Sequence, residues 1–368
     1  MHVVLAGGGT AGHVEPALSV ADAQRRADPA TGITLLGTER GLETRLVPAR
    51  GYDLELVPPV PMPRRPSRDL LTVPARLRDA VSACERVLTR TGADALVGFG
   101  GYVAMPAYLA ARRLRVPFVI HEANARPGLA NRVGARLTRH VATASADVHL
   151  PHARYVGIPL RRSIATLDRT ASRPQALGHF GLAPDLVTVL VFGGSQGARR
   201  LNATMGEAAP AVLAAGAQVL HVSGGGQQQV VPCATDPEHA ARYHVVDYVD
   251  RMDLAYAAAD VAVTRAGAMT CAELAAVGLP SVYVPFPVGN GEQRLNARPT
   301  VRAGGGLLVE DEAFTPAWVA ATVPDLLADP ARLARMSRAA AALGRRDADD
   351  QVVEMIRHAV DEASRPQW

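Results

Sequence analysis

Chemistry in this chain is offered by glycine, hydroxyl and amide residues placed where an apolar run gives way to a helix-forming run. Gly7-Gly8-Gly9-Thr10-Ala11-Gly12 follows the apolar His2–Ala6. The spacing Gly7-x-Gly9-x-x-Gly12 lets backbone approach a diphosphate at a helix N-terminus, where free N–H groups and the helix dipole favour anions. A dinucleotide site also needs an acid at the end of the second strand. Here Leu35-Leu36 runs into Gly37 and Glu39 lies two further on, so the phosphate reading stands and the NAD reading weakens. His13 follows the loop at once, beside Pro16 in the first turn. A helix N-terminus disfavours imidazolium, so His13 is either a neutral proton acceptor or a residue that caps the loop.

Similar arrangements recur later. Gly193-Gly194-Ser195-Gln196-Gly197 follows Val187–Phe192, and Ser195 either donates to a phosphate oxygen or caps a helix. After Asp260–Thr264 comes Arg265-Ala-Gly-Ala-Met-Thr270-Cys-Ala-Glu273. Ala268, Met269 and Thr270 would open a helix and point N–H groups and a hydroxyl at a diphosphate. Glu273 is placed to accept from a ribose diol or to close a capping box. The run from Gly289 to Ala297 is rich in amides and acids, which suit the directional hydrogen bonds of a sugar or an ordinary polar loop.

The elements that must position these groups read as strand–helix alternation. Strands are expected at His2–Ala6, Ile33–Leu36, Ala95–Gly98 and Phe118–His121. The series restarts at Val187–Phe192 and continues at Gln218–Val222, Asp260–Thr264 and Ser281–Val284. A helix is expected over Val14–Arg26 and another over Asp347–Ala363. This pattern predicts an α/β protein with parallel sheets covered by helices on both faces. With 368 residues the chain suits two domains, 1–160 and 161–346, with a hinge near Gly157-Ile158-Pro159; the pattern alone does not assign the last helix to either domain.

Composition narrows the classes. Hydrophobic residues are 48% and charged residues 20%, as in a packed globular protein. All 39 basic residues are arginine, which removes P-loop and Schiff-base lysines from consideration. Cys84, Cys233 and Cys271 have no ligand-like spacing, so neither a disulfide framework nor a zinc site is expected, and a reducing compartment is. No leader and no run of about 18 apolar residues is seen, so the chain can sit on a membrane but is not expected to cross one. Residues 1–160 carry 20 Arg against 13 acids, while 161–368 carry 19 against 22. The basic half is the one expected to meet an anionic surface. Its proline-rich stretch Pro58–Pro66 leads into a segment with Leu70, Leu71, Val73, Arg76, Leu77, Arg78, Arg86 and Arg90, either a membrane-facing patch or a solvated helix over core leucines.

Taken together, Gly7-Gly-Gly-Thr-Ala-Gly-His13, Leu36-Gly-Thr-Glu-Arg-Gly-Leu-Glu43, Gly98-Phe-Gly-Gly-Tyr102, His121-Glu-Ala-Asn124, Gly193-Gly-Ser-Gln-Gly-Ala-Arg199, residues 265–273 and Glu292-Gln-Arg-Leu-Asn-Ala297 resemble the MurG family of peptidoglycan N-acetylglucosaminyltransferases, over nearly the whole chain. The resemblance implies a GT-B fold, two Rossmann-like domains with parallel sheets facing a cleft. It implies an inverting transfer of N-acetylglucosamine from UDP-N-acetylglucosamine to the muramoyl 4-hydroxyl of lipid I, giving lipid II. It implies peripheral attachment to the cytoplasmic face of the plasma membrane, on the anionic inner leaflet, beside other cell-wall synthesis proteins. No cofactor, metal or nucleic acid is implied.

Carried over by motif, Arg161, Ser195 and Val249 would contact the donor. Ala268, Met269, Thr270, Cys271, Ala272 and Glu273 would hold its diphosphate and ribose, and Gln293 its sugar. Thr10, Ala11, Gly12 and Asn124 would reach the sugar or the acceptor. Gly9, Gly100, Gly101 and Tyr102 would hold the acceptor diphosphate. His13 is the first candidate for the base and Glu122 the second. Ala11 departs from the glycine common at this position, which bears on how closely a ligand approaches. Glu292 departs from glutamine, so the sugar contact is assigned to Gln293. The rival readings are another GT-B transferase or a UDP-N-acetylglucosamine epimerase, a dinucleotide-dependent oxidoreductase, and a catalytically silent scaffold. The oxidoreductase leaves the second loop and residues 265–297 without a purpose.

Overall fold

A computed structural model describes residues 1–60, 72–194, 198–224, 237–288 and 291–365. Its strands form two parallel sheets, one in each of two compact units. The first unit comprises Met1–Arg161 with Arg346–Trp368, and the second Arg162–Arg345.

In the first sheet β1 (His2–Gly7), β2 (Gly32–Gly37), β3 (Asp53–Leu56), β4 (Ala95–Gly100), β5 (Phe118–Glu122), β6 (His140–Thr143) and β7 (Ala153–Tyr155) lie in the order β3-β2-β1-β4-β5-β6-β7. The second sheet repeats the scheme with β8 (Val187–Phe192), β9 (Ala217–Val222), β10 (Tyr243–Val246), β11 (Val261–Thr264), β12 (Ser281–Tyr283) and β13 (Gly306–Leu308), ordered β10-β9-β8-β11-β12-β13. Strand order reverses between β1 and β4 and between β8 and β11. In open α/β sheets the crevice at the carboxyl ends of such a strand pair is where ligands bind. The loops after β1, β4, β8 and β11 carry Gly8–Thr10, Gly101–Val103, Gly193–Gly194 and Arg265–Gly267, so most of the candidate residues cluster at these points.

The central strands are apolar and buried on both faces, which is why they are continuous hydrophobic runs in sequence. Helices cover them. Ala348–Ser364 belongs to the first unit, where it packs on the helix Ala11–Ala27 and on β4, β5 and β6. Its Val352, Val353, Met355, Ile356 and Ala359 share one hydrophobic cluster with Val3, Leu5, Val14 and Val97. Arg26 pins the start of this helix by a 2.8 Å contact to Asp349, whose carboxyl burial pushes up and the arginine draws down. Ile356 is fully buried. Ile356→Ala is expected to destabilise the first unit by about 2–5 kcal/mol, read as a shift in its denaturant midpoint.

Candidate active site

The helix that follows β1 starts at Ala11, earlier than the sequence pattern suggests. Pro16 therefore lies in its second turn and not its first. It lacks the N–H that would bond the Gly12 carbonyl, so the helix opens with a gap in its ladder beside His13. Thr10 occupies the cap position without capping: its hydroxyl sits 3.2 Å from His13 Nδ1. Burial lowers the basicity of His13, while a hydrogen bond to the Gly8 backbone and the charge of Glu43 raise it; the net direction is down. The imidazole is neutral near pH 7, and burial is the first cause.

The loop after β4 closes on this helix start. Gly100 and Gly101 have φ of 96° and 80°, the left-handed region that favours glycine. A Cβ on Gly100 would stand 3.1 Å from His13 Nε2, and one on Gly101 would stand 2.5 Å from the Gly8 carbonyl oxygen. Side chains at either position would push the two loops apart. Tyr102, next in the chain, is exposed.

Glu43 is fully buried beneath the first loop. Its Oε2 accepts from Gly9 N at 2.9 Å, and its Oε1 accepts from Thr38 N at 2.7 Å and Thr38 Oγ1 at 3.0 Å. The Gly9 N–H is thus engaged inside the protein, which removes it from the donors an acceptor diphosphate can use. The same carboxylate stands at the end of β2, where a dinucleotide enzyme would present its ribose acid.

The loop after β5 is organised by Glu122, itself buried. Its carboxylate accepts from Asn124 N at 2.9 Å, Gly128 N at 2.9 Å, Asn131 Nδ2 at 3.0 Å and Asn124 Nδ2 at 3.5 Å. Burial raises the Glu122 carboxyl and these bonds lower it, with burial the larger effect. Both oxygens hold the loop that carries Asn124, an arrangement of a positioning residue more than of a free base. Asn131 also accepts from Tyr108 Oη at 2.7 Å and donates to the His121 carbonyl at 3.2 Å. Sequence reasoning passes over Tyr108 and Asn131; the short helix Leu129–Gly134 offers Asn131 beside Arg132 and carries no local sign of its buried role.

In the second unit the helix Ala268–Val277 follows β11 with Gly267 in extended conformation before it. The first-turn N–H groups of Ala268, Met269 and Thr270 have no partner within the helix by its geometry. These residues are half-buried, while Cys271 and Glu273 turn into the core. Burial pushes the Cys271 thiol up, so it is a packing residue and no nucleophile. Glu273 Oε2 accepts from Tyr256 Oη at 2.7 Å.

Two side chains missed as structural parts hold the loops around this helix start. Arg265 Nη1 donates to Asp311 Oδ1 at 2.5 Å, to the Val284 carbonyl at 3.1 Å and to the Pro285 carbonyl at 3.3 Å. Gln293 Oε1 accepts from Ala266 N at 3.1 Å and Phe286 N at 2.9 Å. Two N–H donors fix which end is oxygen, so the other end is the Nε2 amide, a donor. Val249 is buried just beyond β10. Arg161 closes the first unit, with its Nε 3.8 Å from Glu15 Oε2. Ser195, Cys233 and residues 61–71, which hold most of the proline-rich stretch together with Leu70 and Leu71, lie outside the described residues.

Residues 3–143 match the glycosyltransferase family 28 N-terminal domain, and residues 188–352 match the family's C-terminal domain. The chain belongs to glycosyltransferase family 28. Within the family 28 transferases it is 63% identical over 360 residues to the Streptomyces avermitilis protein named UDP-N-acetylglucosamine–N-acetylmuramyl-(pentapeptide) pyrophosphoryl-undecaprenol N-acetylglucosamine transferase, covering 98% of this chain and 99% of that one. The protein of the same name from Streptomyces coelicolor is 62% identical, with 98% of each chain covered. Among solved structures the crystal structure of Acinetobacter baumannii MurG matches with a TM-score of 0.78 and 28% identity, covering 97% of this chain and 99% of that one. The two-sheet architecture of this family 28 chain is that of the GT-B glycosyltransferases. Among the described residues no helix is long and apolar enough to cross a membrane.

Proposed function

We propose that this chain transfers N-acetylglucosamine from UDP-N-acetylglucosamine to the muramoyl 4-hydroxyl of lipid I, releasing UDP and forming lipid II. The observation that carries the reading is identity above 60% along nearly the full length of relatives named for this transfer. The site geometry supports it. His13 is a neutral imidazole suited to take the proton as the hydroxyl attacks the anomeric carbon opposite UDP. The first turn of Ala268–Val277 offers N–H groups to the charge that develops on the departing diphosphate. Glu273 and Val249 serve the ribose and uracil, and the Gln293 amide serves the sugar. Ser195 and Arg161 are further donor contacts, and Asn124, Gly12 and Tyr102 lie on the acceptor side. Of the glycines assigned to the acceptor diphosphate, Gly100 and Gly101 act by letting the loops close. The excess of arginine in residues 1–160 favours peripheral attachment of the first unit to an anionic leaflet.

The direct test is UDP release from UDP-N-acetylglucosamine with and without a lipid I analogue. Release by folded protein that does not depend on the acceptor would refute the reading; NADH binding without UDP binding would restore the oxidoreductase. A sharper test addresses Gln293. Gln293→Glu keeps an oxygen for both backbone N–H groups but removes the amide donor. Its melting temperature is expected to stay close to that of the native protein while affinity for UDP-N-acetylglucosamine, measured by calorimetry, falls about tenfold. Unchanged affinity would remove Gln293 from the sugar site.

A further inference from the structure

The two glycine-rich motifs of the first unit meet on one side chain. A Cβ on Gly8 would lie 2.7 Å from Glu43 Oε1, one on Gly37 2.3 Å from its Cγ, and one on Gly41 1.9 Å from its Oε2. Residues 7–9 and 37–43, apart in sequence, thus form one cradle around a buried carboxylate. No basic side chain is ion-paired to it among the described residues; its partners are the Gly9 and Thr38 N–H groups and the Thr38 hydroxyl. A carboxylate held only by such donors polarises them and keeps its field directed at its surroundings. Gly9, held by this carboxylate at 2.9 Å, is followed directly by the cap residue Thr10, whose hydroxyl sits 3.2 Å from His13 Nδ1.

We propose that Glu43 is a positioning residue for His13: an internal anion that fixes the glycine loop and stabilises the imidazolium formed when His13 takes the acceptor's proton. This rests on the reading of His13 as the base. The loop is thereby set before any phosphate arrives, because Glu43 already satisfies the N–H group that an anion would otherwise recruit. The charge also acts on the ring. Burial makes His13 a weaker base, a hydrogen bond to the Gly8 backbone opposes this, and Glu43 is the charged group that adds to the opposition among the described residues; Thr10 and Gly100 beside the ring are uncharged. A base that must hold a proton through the transition state gains from a fixed negative charge nearby.

Glu43→Gln tests this. The amide oxygen can keep the Thr38 bonds, but the amide nitrogen faces the Gly9 N–H and the charge is gone. With the negative charge removed, imidazolium is less stable, so His13 must titrate at lower pH. The acid limb of kcat/KM for the acceptor must move the same way. Turnover is expected to fall about tenfold or more while KM for UDP-N-acetylglucosamine stays within about twofold. The titration is followed by NMR of the imidazole in full-length protein, assigned by its loss in His13→Ala. A folded Glu43→Gln protein whose His13 titration and acid limb are unmoved would overturn the proposal, however slow its turnover, because Glu43 would then only shape the fold. Where circular dichroism shows that the glutamine variant does not fold, Glu43→Asp replaces it. That substitution draws the charge back by one methylene, and an unmoved His13 titration in the folded aspartate variant is equally fatal. Near-normal turnover in His13→Ala would remove the base reading. A displaced titration in Glu43→Gln would still support the coupling, so the two failures are distinguishable.

Discussion

Replacing His13 by alanine is expected to lower turnover by about a hundred- to ten-thousand-fold, the range lost when a positioned proton acceptor is removed. Affinity for UDP-N-acetylglucosamine should change by less than about twofold, because the diphosphate and ribose groups are assigned to the second unit. Steady-state kinetics with a lipid I analogue, paired with calorimetry of donor binding, separates the two. The pH profile adds a constraint. Burial sets the basicity of His13 below the ordinary value of 6.5, so the native enzyme keeps a deprotonated base as pH falls through that value. The acid limb of kcat/KM should therefore lie below 6.5 and vanish from the residual activity of His13→Ala. A variant with normal turnover and an intact limb would assign the base to another group, Glu122 being the next to test.

The second large effect concerns Arg265. Its side chain and that of Asp311 are 8% and 9% exposed, so each is desolvated and depends on the other. Among the described residues, Arg265→Ala leaves Asp311 ion-paired with Arg200 alone, whose Nε is 3.6 Å away on a half-exposed side chain, and leaves the Val284 and Pro285 carbonyls without this donor. Breaking a buried pair from one side costs about 3–5 kcal/mol, and the remaining Arg200 contact places this case near the lower figure. Chemical denaturation should register that loss in the second unit. Donor affinity should fall as well, since the guanidinium also lies 5.5 Å from the Phe286 ring, next to the Gln293 anchor. Lysine is not expected to restore the native value, because one ammonium cannot span Asp311 and two carbonyls in the planar geometry of a guanidinium. A loss under about 1 kcal/mol would mean that Arg200 takes over the buried carboxylate.

How much of this was legible in the sequence depended on burial. β1, β2, β4, β5, β8, β9, β11 and β12 are largely buried, so each appears as a mainly apolar run even where a buried polar residue such as Thr34, Thr188, Gln218 or His221 interrupts it. β3, β7, β10 and β13 lie at sheet edges or are short, and sequences such as Asp53-Leu-Glu-Leu56 or Ala153-Arg-Tyr155 carry too little apolar signal to be told from loops. β6 has only four residues and starts with a histidine. The glycine loops were visible because helix starts after strands have a spacing of their own. What each side chain does there was not. Glu43 reads as one more charge in a polar stretch until Gly8, Gly37 and Gly41 are seen folded around it. Gln293 reads as a sugar ligand, yet its oxygen is spent on two backbone N–H groups that lie 27 and 7 residues away in sequence. Tertiary hydrogen bonds of this kind have no local pattern.

The helix Ala348–Ser364 has a consequence for synthesis. It supplies Val352, Val353, Met355, Ile356 and Ala359 to a cluster whose other buried members lie between residues 3 and 156. Residues 162–345, by contrast, carry all of their own unit. During vectorial translation the second unit can therefore complete its core while the first, although made earlier, still shows water an uncovered apolar face. The half of the protein that leaves the ribosome first is the last to finish folding, and a chain stalled before residue 348 presents that face to chaperones and proteases.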